Sequence, residues 1–80
     1  MKFTSREWKF LRKCWHLTPR EIEVAKLVCE GFDNENIGDR LHIRYNTVRA
    51  HLGNIFRKTA APGKAKIILE FIEGIQRAKI

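Results

Sequence analysis

Seven basic side chains, Arg40, Arg44, Arg49, Arg57, Lys58, Lys64 and Lys66, fall within residues 40–66, a stretch that contains no acid. Guanidinium and ammonium groups at this density suit a polyanion, either nucleic acid or an anionic surface. The rest of the chain cancels: the basic excess of residues 1–18 is offset by the acidic excess of residues 19–39, and residues 67–80 balance. The net charge of +7 is therefore the charge of that one stretch. A solvated helix face is the plainer alternative, and the lack of interspersed acids speaks against it.

Other chemistries find no support in the residues. His16, His42 and His51 show no metal-ligand spacing with Cys14 or Cys29, so no metal is expected. The two cysteines form no CxxC pair and are too few for a disulfide framework, which suggests buried thiols in a reducing, cytoplasmic setting. There is no ordered Ser-His-Asp set with supporting glycines, no phosphate-cradling loop and no pair of acids in a cleft. An enzyme is not expected, nor is a cofactor. With 80 residues and 44% apolar content, the chain suits one small domain with one core. No unbroken apolar run exceeds three residues, so nothing can span a bilayer, and the N-terminus has no secretory signal.

Helix start signals supply the frame for the basic stretch. One pattern occurs three times: an apolar residue, a Thr or Asp cap, two residues, Glu or Asn, then a second apolar residue. Its copies are Phe3-Thr4 to Glu7-Trp8, Leu17-Thr18 to Glu21-Ile22, and Phe32-Asp33 to Asn36-Ile37. Each reads as a capping box within a hydrophobic staple, the third lacking the reciprocating Glu. Pro19 occupies a first helical position, where its missing N–H costs nothing. These signals predict helices α1 over 5–15, α2 over 19–30 and α3 over 34–42. Gly31 follows α2 as a left-handed terminator. His42 to Tyr45 forms a short connector, α4 runs over about 46–59, and Pro62-Gly63 separates it from α5 at about 64–77. No stretch alternates as a strand would.

Helix α4 has two faces. Val48, Leu52, Ile55 and Phe56 make a stripe about 100° wide that suits a core. Asn46, Arg49, Ala50, Gly53, Asn54 and Arg57 lie opposite, and short side chains flanked by arginines let a backbone approach another molecule closely. His51 beside the stripe reads as a half-buried packing residue, with a phosphate contact as the alternative. On α1, Trp8, Leu11 and Trp15 form a stripe that suits packing on the domain or, alternatively, a partner surface. On α5, Ile67, Ile68, Leu69, Phe71, Ile72 and Ile75 surround most of the helix, so the part the core does not use needs another partner. Together α3, a short turn and α4 make a helix-turn-helix, whose second helix suits a major groove.

The segments Leu17-Thr18-Pro19-Arg20-Glu21-Ile22-Glu23-Val24, Glu30-Gly31-Phe32-Asp33-Asn34, Leu41-His42-Ile43 and Thr47-Val48-Arg49-Ala50-His51-Leu52-Gly53-Asn54-Ile55 appear in order and at family spacing. Over about residues 17–72 the chain resembles the LuxR/FixJ/GerE-type helix-turn-helix family. The resemblance implies an all-α, four-helix DNA-binding domain over 17–78, with an additional N-terminal helix in residues 1–16. It places the helix-turn-helix at about 34–53, the recognition helix at about 46–59 and a dimerisation helix at about 64–77. It fits a stand-alone regulator or the output domain of a longer one. Departures from the family pattern are Arg44 for a capping Ser, with Asn46 able to take over the cap, Glu35 for Lys, Gly38 for Ala, Gly53 for a polar or basic reader, and Thr59 for a core Leu.

Residues and resemblance together predict a transcription regulator that binds double-stranded DNA as a homodimer on a two-fold site. Asn46, Arg49 and Ala50 would read bases. Arg40, Arg44, Thr47, Arg57, Lys58 and Lys64 would hold phosphates. Ile68, Phe71, Ile72 and Ile75 would form the dimer interface. The rival reading, motivated by Glu35 and Gly53, is a module of the same fold that dimerises with a larger regulator and modulates it without strong DNA binding. A membrane-surface role is a distant third, because the apolar stripe of α4 is needed for the core.

Overall fold

The computed structural model describes residues 2–78. It contains α1 (Ser5–Trp15), α2 (Pro19–Cys29), α3 (Asn34–Leu41), α4 (Tyr45–Thr59) and α5 (Lys64–Ala78), with no strand among the described residues. The all-α expectation holds, and helix boundaries differ from the sequence reading by single residues.

The three start signals work as their chemistry dictates. Thr4 and Thr18 each accept a hydrogen bond from the N–H three residues on, at 3.1 Å, while Glu7 and Glu21 reach back to the cap N–H at 2.7 and 2.9 Å. Asp33 accepts from the Asn36 N–H at 2.9 Å, and Asn36 cannot complete the box. The staples close as well: Phe3 meets Trp8 edge-on with ring centroids 5.3 Å apart, and Leu17 and Ile22 are both buried. Gly31 adopts φ 91° after α2, with the Phe32 N–H bonded to the Leu27 carbonyl and the Gly31 N–H to that of Val28. That is a Schellman ending, and glycine is the residue that reaches it without strain.

The start of α4 corrects one expectation. Asn46 does not take over the cap. Arg44 is the N-cap residue, extended and without a side-chain cap, and Tyr45 is the first helical residue. The short turn after α3 leaves the chain extended at Arg44, so the helix starts there with its first N–H groups open.

Helices α2 and α3 pack on α4, and α1 packs on α5. Leu11, Val24, Ile37, Val48, Ile55, Ile67 and Phe71 are fully buried, and each of the five helices contributes to this single core. Helix α1 therefore belongs to the same packed body as the rest. Its Trp8 and Trp15 rings lie 5.8 and 5.5 Å from Phe71, and Leu11 fills the space beside them. Gly74 permits this approach, since a Cβ there would stand 3.2 Å from the edge of Trp15. The packing corrects two interface assignments: Phe71 is wholly enclosed and Ile75 nearly so, because the aromatic stripe of α1 covers that side of α5. The cysteines divide. Cys29 is buried, and burial pushes its thiol up to about 11, whereas Cys14 is exposed, contrary to the expectation that both are buried. The stripe of α1 turns inward through its aromatic residues, and Cys14 falls outside it.

Candidate nucleic-acid interface

The geometry of α3 and α4 is set by a close approach. Gly38 is buried in α3, and a Cβ on it would lie 2.8 Å from the Ile43 carbonyl oxygen, well inside contact distance. The departure from Ala at this position thus lets the turn at 42–44 fold tightly over α3. His42 in the left-handed region and the Ile43 N–H bonded to the Gly38 carbonyl complete the turn. The inner stripe of α4 is locked into the core through Val48, Leu52 and Ile55, and Thr59 closes it by donating its hydroxyl to the Ile55 carbonyl at 2.7 Å. A polar Thr can stand in the core position because this bond satisfies its hydroxyl.

With that side fixed, the other side of α4 must face outward. Asn46, Thr47, Arg49, Ala50, Gly53 and Arg57 are all exposed, and so are Arg40 and Arg44. Arg40 lays its guanidinium over the Phe32 ring, 4.0 Å from the centroid, which orients the side chain without neutralising it. Lys64 is half-buried at the start of α5. Among the described residues, none of Arg40, Arg44, Arg49, Arg57 and Lys64 lies within ion-pair distance of an acid. Their charge is free to act on a ligand.

Lys58 is placed differently from its neighbours. Its ammonium donates to Glu21 Oε1 at 2.7 Å and to the His16 carbonyl at 3.0 Å. Glu21 is buried and also receives the Thr18 N–H. Burial pushes this carboxyl up, but hydrogen bonds from Lys58 and Thr18, with the charges of Lys58 and half-buried His51, outweigh it and hold the group below its ordinary value. Lys58 thus ties the end of α4 to the start of α2, and its charge is spent inside the fold. A burial pattern alone could not reveal this pairing, which joins residues 37 apart in the chain.

Sequence reasoning passed over two residues of this face. Tyr45, the first residue of α4, is half exposed and lines a shallow cleft with Asp33, Asn34, Glu35 and Lys64. Asn34, at the start of α3, has its Oδ1 shut from solvent without a hydrogen-bond partner among the described residues. In the sequence Tyr45 was only the last residue of the short connector after α3, and nothing singled out Asn34. Among the described residues no group of three or more His, Cys, Asp or Glu is placed to hold a metal ion, and no helix is long and apolar enough to cross a membrane.

A tight α3-turn-α4 unit with an inward apolar stripe and an outward basic face is a helix-turn-helix domain. The family model of bacterial regulatory proteins of the luxR type matches residues 15–71, so the chain belongs to the luxR family. The transcriptional regulatory protein DegU of Brevibacillus brevis is 38% identical over 63 residues, covering 78% of this chain and 27% of its own length. The tetrathionate response regulatory protein TtrR of Salmonella typhimurium is 38% identical over 55 residues, or 69% of this chain and 27% of its own. The response regulator protein VraR of Staphylococcus aureus is 32% identical over 53 residues, 66% of this chain and 25% of its own. The chain thus spans about a quarter of the length of these relatives. An HTH-type transcriptional regulator of Mycobacterium tuberculosis, 37% identical over 54 residues, is matched over only 6% of its length. No solved structure matches the chain with significance. Helix α1, apart from its last residue, lies outside the family match.

Proposed function

We propose that this chain binds double-stranded DNA through the outward face of α4 and so regulates transcription. The observation that carries the reading is the set of exposed cations, Arg49 and Arg57 on α4, Arg44 at its N-cap and Arg40 on α3, unpaired with acids among the described residues and set around a helix whose other side is anchored in the core. A rigidly anchored helix can enter a major groove without reordering, and open N–H groups at its start favour phosphate. The relatives' names, transcriptional regulatory protein and response regulator protein, support the same reading. In this reading Asn46, Arg49 and Ala50 meet base edges, while Thr47 and Arg44 at the helix start, with Arg40, Arg57 and Lys64, hold the phosphates. Such a protein acts where the DNA is, in the cytoplasm.

The reading extends to a homodimer on a two-fold site. With Phe71 and Ile75 inside the core, the surface of α5 that remains for a second copy is Ile68 and Ile72, both half-buried, and Leu69, which is 50% exposed. Selection of bound duplexes from a random pool tests specificity and half-site symmetry together, and a single unpaired half-site among the selected sequences would rule out the dimer. Against the selected duplex, Arg49→Ala should cost roughly 1–3 kcal/mol and relax discrimination at one base pair, measured by titration against matched and scrambled duplexes. Equal affinities of Arg49→Ala and the unaltered chain for both duplexes would remove Arg49 from the base-reading set. Failure of the unaltered chain to bind any duplex at low salt would favour the rival reading, a module that acts through a larger regulator.

A further inference from the structure

Four residues beyond Arg49 and three beyond Ala50, on the same outward face of α4, the helix has no side chain at all. A Cβ built on Gly53 would meet nothing within 4 Å. The gap is the floor of a cavity of about 370 Å³ lined by Asn34, Arg49, Leu52, Gly53, Phe56 and Lys64. The cavity is thus walled by the start of α3 on one side and the start of α5 on the other, with two cations and no acid in its lining. The first turn of α5 contains no acid either. Asp33 and Glu35, which flank Asn34 in the sequence, line the adjoining cleft, which shares only Asn34 and Lys64 with this one, and Asp33 is occupied there as the cap of the Asn36 N–H. The apolar side chains of Leu52 and Phe56 lower the local dielectric, which strengthens attraction between the two cations and an anion seated there. Asn34 adds an amide to the lining, and among the described residues its Oδ1, shut from solvent, has no hydrogen-bond partner.

We propose that the hollow at Gly53 is a phosphate seat, in which Lys64 and Asn34, with Arg49 at the rim towards the bases, hold one phosphodiester of the duplex against the bare backbone of α4. The inference rests on the DNA-binding reading and deepens it: in this chain the missing side chain is a means of close approach, and the contact replaces a base reader by a backbone clamp. The duplex is the source of the phosphate because the seat lies one helical turn along the same face as Arg49 and Ala50.

The test uses Gly53→Leu, Lys64→Gln and the double variant, each verified by circular dichroism to melt as a folded helical protein. Leucine is neutral, fills the hollow and favours a helix over glycine, so its effect on binding is steric. Gly53→Leu should weaken duplex binding by about tenfold or more, the size of one lost charge-assisted contact. Lys64→Gln should weaken it comparably and reduce the slope of log affinity against log salt by about 0.9, the value of one phosphate. The double variant should bind no more weakly than Gly53→Leu alone, since both act through the same phosphate. Wild-type affinity in Gly53→Leu, or losses that multiply in the double variant, would overturn the seat while leaving the DNA-binding reading in place. A wild-type chain without duplex affinity would overturn both. Inorganic phosphate at constant ionic strength should compete no better than chloride. Selective competition by phosphate that Gly53→Leu abolishes would reassign the hollow to a free phosphate and overturn the duplex assignment.

Discussion

Ala60 ends α4 in the left-handed region, with φ 56° and its N–H bonded to the Phe56 carbonyl. An L-residue with a Cβ crowds the following carbonyl there, at a cost of roughly 1–2 kcal/mol, which glycine escapes. His16 and His42 end α1 and α3 the same way, at φ 53° and 57°, and histidine tolerates this region better than alanine. Ala60 is exposed and its side chain joins no core, so Ala60→Gly should stabilise the protein by about 1 kcal/mol, read as a higher urea midpoint at unchanged slope. A lower midpoint would mean that the glycine's extra freedom in the unfolded chain outweighs the relieved strain. Gly31 could be read from the sequence as a terminator because its type announces the conformation. Ala60 could not, because nothing in alanine's chemistry favours it. Gly38 is the intermediate case: as a departure from the family pattern it was visible, but the carbonyl that excludes a side chain belongs to the next turn and appears only in three dimensions.

At the scale of elements, one ion pair adds a polar tie to the apolar packing that holds α4. Lys58 and Glu21 join the last turn of α4 to the first turn of α2, and the same Glu21 completes the capping box of α2. The carboxyl is held below its ordinary value of 4.5, so the folded state binds its proton less readily than the unfolded state. The stabilisation it brings is complete above the ordinary carboxylate value and is lost as pH falls below that value toward the lowered one. Glu21→Gln should therefore be less stable than the unaltered protein at pH 7, by about 1.5–3 kcal/mol for a lost charged hydrogen bond. The difference should narrow below about pH 4.5, checked by urea unfolding at pH 7 and at several acid values. A constant difference across that range would mean that Glu21 contributes packing rather than charge. The capping role of Glu21 was legible, since Thr18-Pro19-Arg20-Glu21 is a local signal. Its second partner was not, and Lys58 among six other bases in one stretch gave no sign that its charge turns inward.

Across the whole molecule, the hydrophobic core and the basic face lie on different sides of the same helices, which allows stability and binding to be separated. Leu11 is fully buried between α1 and α5, far in sequence from the exposed side of α4. Leu11→Ala should cost about 2–4 kcal/mol through lost burial and the cavity left behind, a large share of the stability of so small a domain. Duplex affinity per folded molecule should stay within about twofold of the unaltered chain, because distant sites are nearly additive. Unfolding by urea and titration under strongly native conditions measure the two quantities. A large affinity change in the folded protein would show that α1 reaches the binding face through α5. The aromatic stripe of Trp8, Leu11 and Trp15 was readable as a packing surface, and α5 as a helix with more apolar surface than one side can use. Which side of α5 receives α1 was not readable, and that choice removes Phe71 and Ile75 from any surface offered to a second copy.

Local chemistry determined the helices and the outward face of α4. Caps, a proline and a glycine act within a few residues, and the period of an α-helix separates apolar from basic positions without reference to the rest of the chain. Tertiary structure decided how those faces were used. It committed Lys58 to Glu21, gave Gly38 its carbonyl neighbour, closed α1 over Phe71, and left the hollow at Gly53 between two other helices. Each of these depends on atoms brought together from distant parts of the chain, and a pattern that repeats along one helix carries no record of what the neighbouring helix places against it.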